Sequence, residues 1–159
     1  MKLKRTTTIL LVFTLSVLSI SAKDIGRMMK KYGKSDHFEY VNINKTMLVM
    51  ARAMADKEAR EVLSKIKNMK VLVAKKEADS APLLAELNNL TQKENYELVA
   101  DVTEKGDHAK VYSKEIKPGT TELLVVTNGK NGEVNVALVT GSLTPEEFEK
   151  LNKRPEKKE

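Results

Sequence analysis

Residues 122–140, ELLVVTNGKNGEVNVALVT, contain the two apolar runs that decide the fold. Leu123–Val126 and Val136–Val139 are apolar at consecutive positions, whereas a strand with one solvated face alternates apolar and polar residues. The residues between the runs are rich in Asn and Gly, which is typical of a hairpin loop. The stretch therefore predicts two neighbouring strands at the centre of a sheet, covered on both faces in whole or in part.

Strand-like segments also precede this hairpin. The four successive segments are Tyr96–Val102, Ala109–Ile116, Glu122–Val126 and Val134–Thr140. Glu104–Asp107 suits a hairpin turn, and Pro118-Gly119 is the dipeptide of a type II turn. Because links this short force consecutive strands to run antiparallel, the second half of the chain predicts a four-strand meander.

The first half has mainly helical spacing. Lys23–Lys31 carries apolar residues at a helical period, and His37–Ile43 is rich in the aromatic and β-branched residues of strands. Met69–Ala74 is a short apolar run between charged residues, which favours a buried strand. Ser80 and Pro82 then suit the cap and first turn of a further helix.

Residues 45–67 are compatible with one helix or with two. Asn44 can cap the segment, because its side-chain oxygen can accept a free backbone N–H of the first turn. Apolar residues then recur from Met47 to Ile66 with a 3.6-residue period. We favour a break near Ala55-Asp56, since Asp56 can cap a second segment.

These elements predict the α+β class. A helical N-terminal half packs on an antiparallel sheet whose last four strands form a meander. Thr144 and Pro145 open a last helix, whose apolar side consists of Phe148 and Leu151. We expect one domain over residues 23–152, followed by a disordered charged tail at 153–159.

The N-terminal segment has the three parts of an export signal. Lys2, Lys4 and Arg5 form a positive region, residues 9–18 are mostly apolar, and small residues end at Ala22. A retained anchor is the alternative, but a spanning helix needs about 20 consecutive apolar residues. We therefore predict a signal peptide at 1–22, cleavage after Ala22, and a periplasmic or extracellular location.

Composition limits the possible partners. The chain has 28 Lys and Arg against 22 Asp and Glu, and removal of the signal would leave 25 against 22. So small an excess does not favour nucleic-acid binding, which needs basic residues gathered on one face. The chain has no cysteine, so we expect neither disulfides nor a lipoprotein anchor.

Three stretches resemble a family of small exported bacterial proteins catalogued as a domain of unknown function. They are residues 38–48 (FEYVNINKTML), 66–72 (IKNMKVL) and 129–143 (GKNGEVNVALVTGSL). The similarity covers roughly residues 24–152. It implies export and one small domain, and it supplies no active site to carry over.

Residues with catalytic potential are sparse. His37 and His108 are the two histidines, and they form no ligand-spaced pair, so we interpret both as ordinary surface or strand residues. No serine lies in a G-x-S-x-G turn, and no glycine-rich loop precedes a helix. A pair of carboxylates remains possible for a hydrolase. The sequence therefore predicts no catalytic, cofactor-binding or metal-binding residue.

The methionines allow three interpretations. Met47, Met50 and Met54 fall at i, i+3 and i+7 on one helix face, and Met28 and Met29 lie in the preceding helix. We favour ordinary core packing, because methionine fills irregular gaps. The alternatives are an exposed surface that adapts to a partner and a thioether site for Cu(I).

The sequence favours a non-catalytic binding or scaffolding module of the bacterial periplasm or outer envelope. Its candidate partner surfaces are the Met47–Met54 helix face and the free edge of the meander. The alternative is a small envelope enzyme whose groups converge only in the fold. A pocket with acids beside His37 or His108 would favour the enzyme.

Overall fold

The computed structural model describes residues 24–147. In chain order its elements are α1 (Asp24–Tyr32), β1 (Phe38–Ile43), α2 (Lys45–Met54), α3 (Lys57–Lys65), β2 (Ile66–Ala74), α4 (Glu77–Lys93), β3 (Glu97–Glu104), β4 (Asp107–Lys117), β5 (Thr120–Asn128) and β6 (Val134–Gly141). The predicted signal at 1–22, the charged tail, and Phe148 and Leu151 lie outside these residues.

All six strands form one antiparallel sheet in the order β1-β2-β6-β5-β4-β3. The predicted meander is therefore confirmed, and β2 extends it by pairing with β6. The two strands with continuous apolar runs, β5 and β6, occupy the centre as expected. The α+β class is confirmed.

The short turns have the backbone conformations that their sequences favour. Lys105 and Gly106 both have positive φ, at 51° and 92°, as a two-residue hairpin turn requires. Gly119 has φ of 70°, which suits the position after proline in a type II turn. These turns fix the register of β3 on β4 and of β4 on β5.

Helices cover the two faces of the sheet unequally. On the first face α1 and α4 pack over the sheet, and the buried cluster there includes Met29, Leu72, Leu83 and Leu124. On the second face a smaller cluster joins Leu48 of α2 and Val62 of α3 to Leu123, Val125 and Val139 of the sheet. Within residues 24–147, no helix has the length and apolar character needed to cross a membrane.

The predicted break between two helices is confirmed. Asn44 Oδ1 accepts the Met47 N–H at 3.1 Å, and Asp56 Oδ1 accepts the Ala59 N–H at 2.8 Å. Arg52 of α2 donates to the carbonyls of Leu63 and Ile66 at the end of α3.

Arg60 of α3 reciprocates by donating to the carbonyls of Arg52 and Ala55 at the end of α2. Each arginine therefore satisfies the terminal carbonyls of the other helix, where a cation is also favoured by the helix dipole. This exchange fixes the two short helices against each other.

The predicted start of α4 is wrong. The helix begins at Glu77, so Ser80 and Pro82 lie inside it. The Ser80 hydroxyl contacts the carbonyls of Lys76 and Gly132, at 3.0 and 2.8 Å, and the side chain is buried. Ser80 thus ties the first turn of α4 to the loop before β6 instead of capping the helix.

The first turn of the last predicted helix is present in the structure. Thr144 Oγ accepts the Glu147 N–H at 3.3 Å, and Glu147 Oε2 accepts the Thr144 N–H at 3.1 Å. This reciprocal pair is a capping box. It fixes the end of the described chain near α3, where Glu147 also pairs with Lys65.

Candidate functional site

Both histidines lie beside carboxylates. His37 Nδ1 is 3.0 Å from Asp79 Oδ1 at an exposed position. His108 Nε2 contacts Asp101 Oδ1, and Lys110 Nζ is 3.9 Å from the other oxygen of Asp101. The β3–β4 register places Asp101 opposite Lys110, two residues from His108. The two histidines thus contact different aspartates.

A cavity of about 240 Å³ adjoins His108 on the first face of the sheet. It lies between α4 and strands β4 and β5, and is lined by Leu84, Leu87, Asn88, Thr91, His108, Lys110, Tyr112, Val126 and Asn128. Two more open depressions share His108 and Asn128 with it. We call this set of connected depressions the His108 groove. Its central cavity is slightly smaller than typical ligand pockets of about 300–1,000 Å³.

The His108 groove has an apolar floor and a polar rim. A carboxylate that contacts one ring nitrogen of histidine orients the ring, and the other nitrogen can then exchange a proton. The arrangement can therefore bind a small polar molecule or provide acid–base chemistry. Asp101 lies in a predicted strand, and its contact with His108 was not expected. Counting residues outward from the Glu104–Asp107 turn aligns the two strands and would have indicated this contact.

A second polar cluster is buried where α4 leads into β3. The Tyr96 hydroxyl donates to Glu122 Oε1, and Lys114 Nζ donates to Glu94 Oε2 at 3.5 Å. Lys114 Nζ also lies 5.2 Å from the centre of the Tyr96 ring. Glu94 and Glu122 are only 4% and 9% exposed.

Burial raises the pKa of the Tyr96 hydroxyl, and the bond to Glu122 and the charges of Glu122 and Glu94 raise it further. Tyr96 therefore stays neutral and acts as a donor over the physiological range. None of the cavities described above is lined by these residues. We interpret the Tyr96 cluster (Glu94, Tyr96, Lys114 and Glu122) as the connection between α4 and the sheet.

The structure distinguishes the methionines of α1 from those of α2. Met28 and Met29 are buried on the first face. Met47, Met50 and Met54 of α2 are 44%, 64% and 90% exposed, so the interpretation of this stripe as core is wrong. Among the described residues, no group of three or more His, Asp and Glu side chains is placed to hold a metal ion.

The exposed side of α2 is nearly free of charge. Val49 is 52% exposed and joins the three methionines. Between Lys45 and Asp56 the one charged residue is Arg52, and its guanidinium is directed to the carbonyls at the end of α3. We call Met47, Val49, Met50 and Met54 the α2 surface. The chain as a whole has 31% charged residues, so the α2 surface is poor in charge relative to the rest of the sequence.

A second apolar feature crosses the second face of the sheet. One row of cross-strand partners contains a single apolar residue from each strand. From edge to edge it is Val41, Val71, Ala137, Val125, Val111 and Ala100. Val125 is buried, Val41 is 45% exposed, and the others are half-buried. The row thus runs across the sheet from β1 to the opposite edge at β3.

The family model described as a domain of unknown function, DUF4252, matches residues 32–151. None of the curated proteins matches the chain.

Proposed function

This chain belongs to the DUF4252 family, a domain of unknown function, and we propose that it is an exported, non-catalytic binding module of the bacterial periplasm or outer envelope. Export is supported by the pattern of residues 1–22, in which a positive region, an apolar stretch and small residues follow in order. The expected product begins at Lys23, one residue before α1.

The observation that carries the binding role is the exposure of the α2 surface. Its three methionines and one valine project from a helix whose opposite side, at Leu48, is buried. Methionine side chains are flexible and polarizable, and they adapt to differently shaped apolar partners. An apolar helix face kept exposed costs solubility, so a partner that covers it explains its presence.

Export and binding are tested separately. For export, protein recovered from the envelope fraction should have Lys23 as its N-terminal residue. An intact N-terminus on protein isolated from the cytosol would contradict this part of the proposal.

For binding, a benzophenone amino acid replaces Met50 in the exporting cell, and the matched control carries it at Glu61 on the exposed side of α3. Irradiation should give a discrete cross-linked product from position 50 alone. Met54→Glu in the same chain should abolish it, because the substitution introduces charge into the α2 surface. Equal cross-linking from both positions would rule out the α2 surface as the contact.

A small envelope enzyme is the second candidate, and the Asp101–His108 contact in the His108 groove favours it. Nitrophenyl acetate, phosphate and glycoside probes test hydrolysis, with His108→Gln as the variant. His37→Gln is the matched control, because His37 also contacts an aspartate but is exposed outside the groove. Hydrolysis that is lost in His108→Gln and retained in His37→Gln would support the enzyme; no hydrolysis, or equal loss, would exclude it.

A further inference from the structure

Among residues 24–147, no strand pairs with the outer edge of β3. β3 has β4 on one side and ends the sheet on the other, and of its residues only Ala100 is half-buried, the rest being exposed. Leu98 and Val102 are 47% and 53% exposed. Edge strands are usually protected by charged side chains, proline or a β-bulge. In β3 this protection consists of three acids and the irregularity between Leu98 and Ala100, without lysine or proline.

The second-face side of β3 has an ordered pattern of side chains. Glu97, Ala100, Val102 and Glu104 pair with Ser113, Val111, Ala109 and Asp107 of β4. These partners alternate regularly on β4, so all four β3 residues share one face despite the irregularity near residue 99. On this face the apolar residues Ala100 and Val102 are therefore flanked by one glutamate at each end of the strand. Ala100 is also the last residue of the apolar row that begins at Val41.

Charge determines which strand can pair with this edge. Asp101 on the other face contacts His108 and Lys110, whereas Glu97 and Glu104 lie exposed at the two ends of β3. If a second copy paired antiparallel about the strand centre, Glu97 would oppose Glu104 of that copy. Like charges directly opposite each other are destabilising, so the edge disfavours self-pairing and favours a strand with cations at both ends.

We propose that β3 binds an extended peptide segment of a partner, in which two alternating apolar residues are flanked by Lys or Arg. The segment adds a seventh strand. Its backbone pairs with the free edge, its apolar residues continue the row at Ala100 and Val102, and its cations lie beside Glu97 and Glu104. This inference rests on the proposed binding role and names the chemistry of the partner.

The probe is a labelled peptide, Arg-Thr-Val-Thr-Val-Thr-Arg, mixed with the full chain. Its alternate residues are Arg, Val, Val and Arg, and this order complements the acid–apolar–apolar–acid order on the second-face side of β3. Binding by fluorescence anisotropy should be accompanied by slower amide hydrogen exchange in residues 97–104. Because each cross-strand ion pair contributes about 0.2–1 kcal/mol, the double variant E97Q/E104Q should weaken binding about 2- to 30-fold. The matched control, E58Q/E61Q on the exposed side of α3, should leave the affinity unchanged.

Several outcomes would overturn the proposal. The first is that a peptide with Glu in place of both Arg residues, or with Pro in place of its central Thr, binds as tightly as the original peptide. The second is that the peptide slows hydrogen exchange at β1 instead of β3. The proposal also fails if the chain dimerises through β3 or if the peptide does not bind. The cross-linking experiment at Met50 does not involve β3. A positive result there beside a negative peptide result would reject the β3 inference and leave the binding role standing.

Discussion

Replacing Lys114 by methionine should destabilise the protein strongly. Lys114 is 19% exposed at its side chain and donates to Glu94, whose side chain is 3% exposed. Glu122, the cross-strand partner of Lys114, is also buried. Methionine keeps the apolar stem and removes the charge, which leaves two buried carboxylates without this ammonium. Removing one partner of a buried ion pair costs about 3–5 kcal/mol, a large share of the roughly 5–15 kcal/mol that stabilises a typical domain.

The assay is urea unfolding followed by circular dichroism at pH 7, and Lys114→Met should lower the free energy of unfolding by several kcal/mol. Adding Glu94→Gln should restore part of the stability, because it removes one of the buried charges.

Lys110→Met is the matched control. Lys110 and Asp101 are 39% and 44% exposed at their side chains, and an exposed pair is worth at most about 1 kcal/mol. If Lys114→Met costs no more than Lys110→Met at pH 7, the description of the Tyr96 cluster as a charge-compensated unit is incorrect.

Three further variants test local features. Gly141→Ala would place a Cβ against the Lys65 carbonyl oxygen and 3.0 Å from Ile66 Cα, so thermal unfolding should show a loss of about 3 kcal/mol; a loss below about 1 kcal/mol would contradict the close packing. Burial and a bond to Glu86 raise the pKa of Tyr32 from 10.0 to about 12. This shift contributes about 1 kcal/mol to the free energy of unfolding for a half-buried ring. The contribution is complete below pH 10 and is lost as the pH rises towards 12. The advantage of the wild type over Tyr32→Phe should fall over that range, and a constant difference would refute the assignment. Asn44→Ala should cost about 1 kcal/mol in urea unfolding, and no change would refute the cap.

Local sequence chemistry predicted the elements that local contacts determine. Asn44 and Asp56 accept the first-turn N–H groups of their own helices, so residue type and position were sufficient to predict the caps. Gly119 adopts the positive φ that its turn requires. The strand order at the centre followed from the continuous apolar runs, because strands covered on both faces show no alternation.

Helical periodicity could not identify the buried side of α2. Most of this helix is apolar, so a 3.6-residue stripe can be drawn through Met47, Met50 and Met54 as readily as through Leu48. The side that faces the sheet is set by the contact of Leu48 with the second-face cluster and by Arg52, which reaches the carbonyls of the next helix. Both are tertiary contacts that a single-helix pattern does not contain.

The start of α4 was misplaced for a similar reason. Ser80 has the side chain of a helix cap, but its hydroxyl contacts the Gly132 carbonyl, 52 residues away in the chain.

Part of the candidate site could have been predicted from the sequence. The contact of Asp101 with His108 follows from the hairpin register once Glu104 is aligned with Asp107. The sequence contained that information, whereas the cavity beside His108 depends on where α4 packs.

The unequal faces of the sheet separate the main buried core from the surfaces that we propose for binding. Met29, Leu72, Leu83 and Leu124 are all fully buried on the first face, and the chain has no cysteine to add a disulfide. Apolar burial beneath α1 and α4 therefore supplies much of the stability. The two short helices on the second face leave the α2 surface and the β3 end of the apolar row exposed. Substitutions on these exposed surfaces should cost the fold little, so the variants at Met54, Glu97 and Glu104 can test the proposed contacts while the protein stays folded.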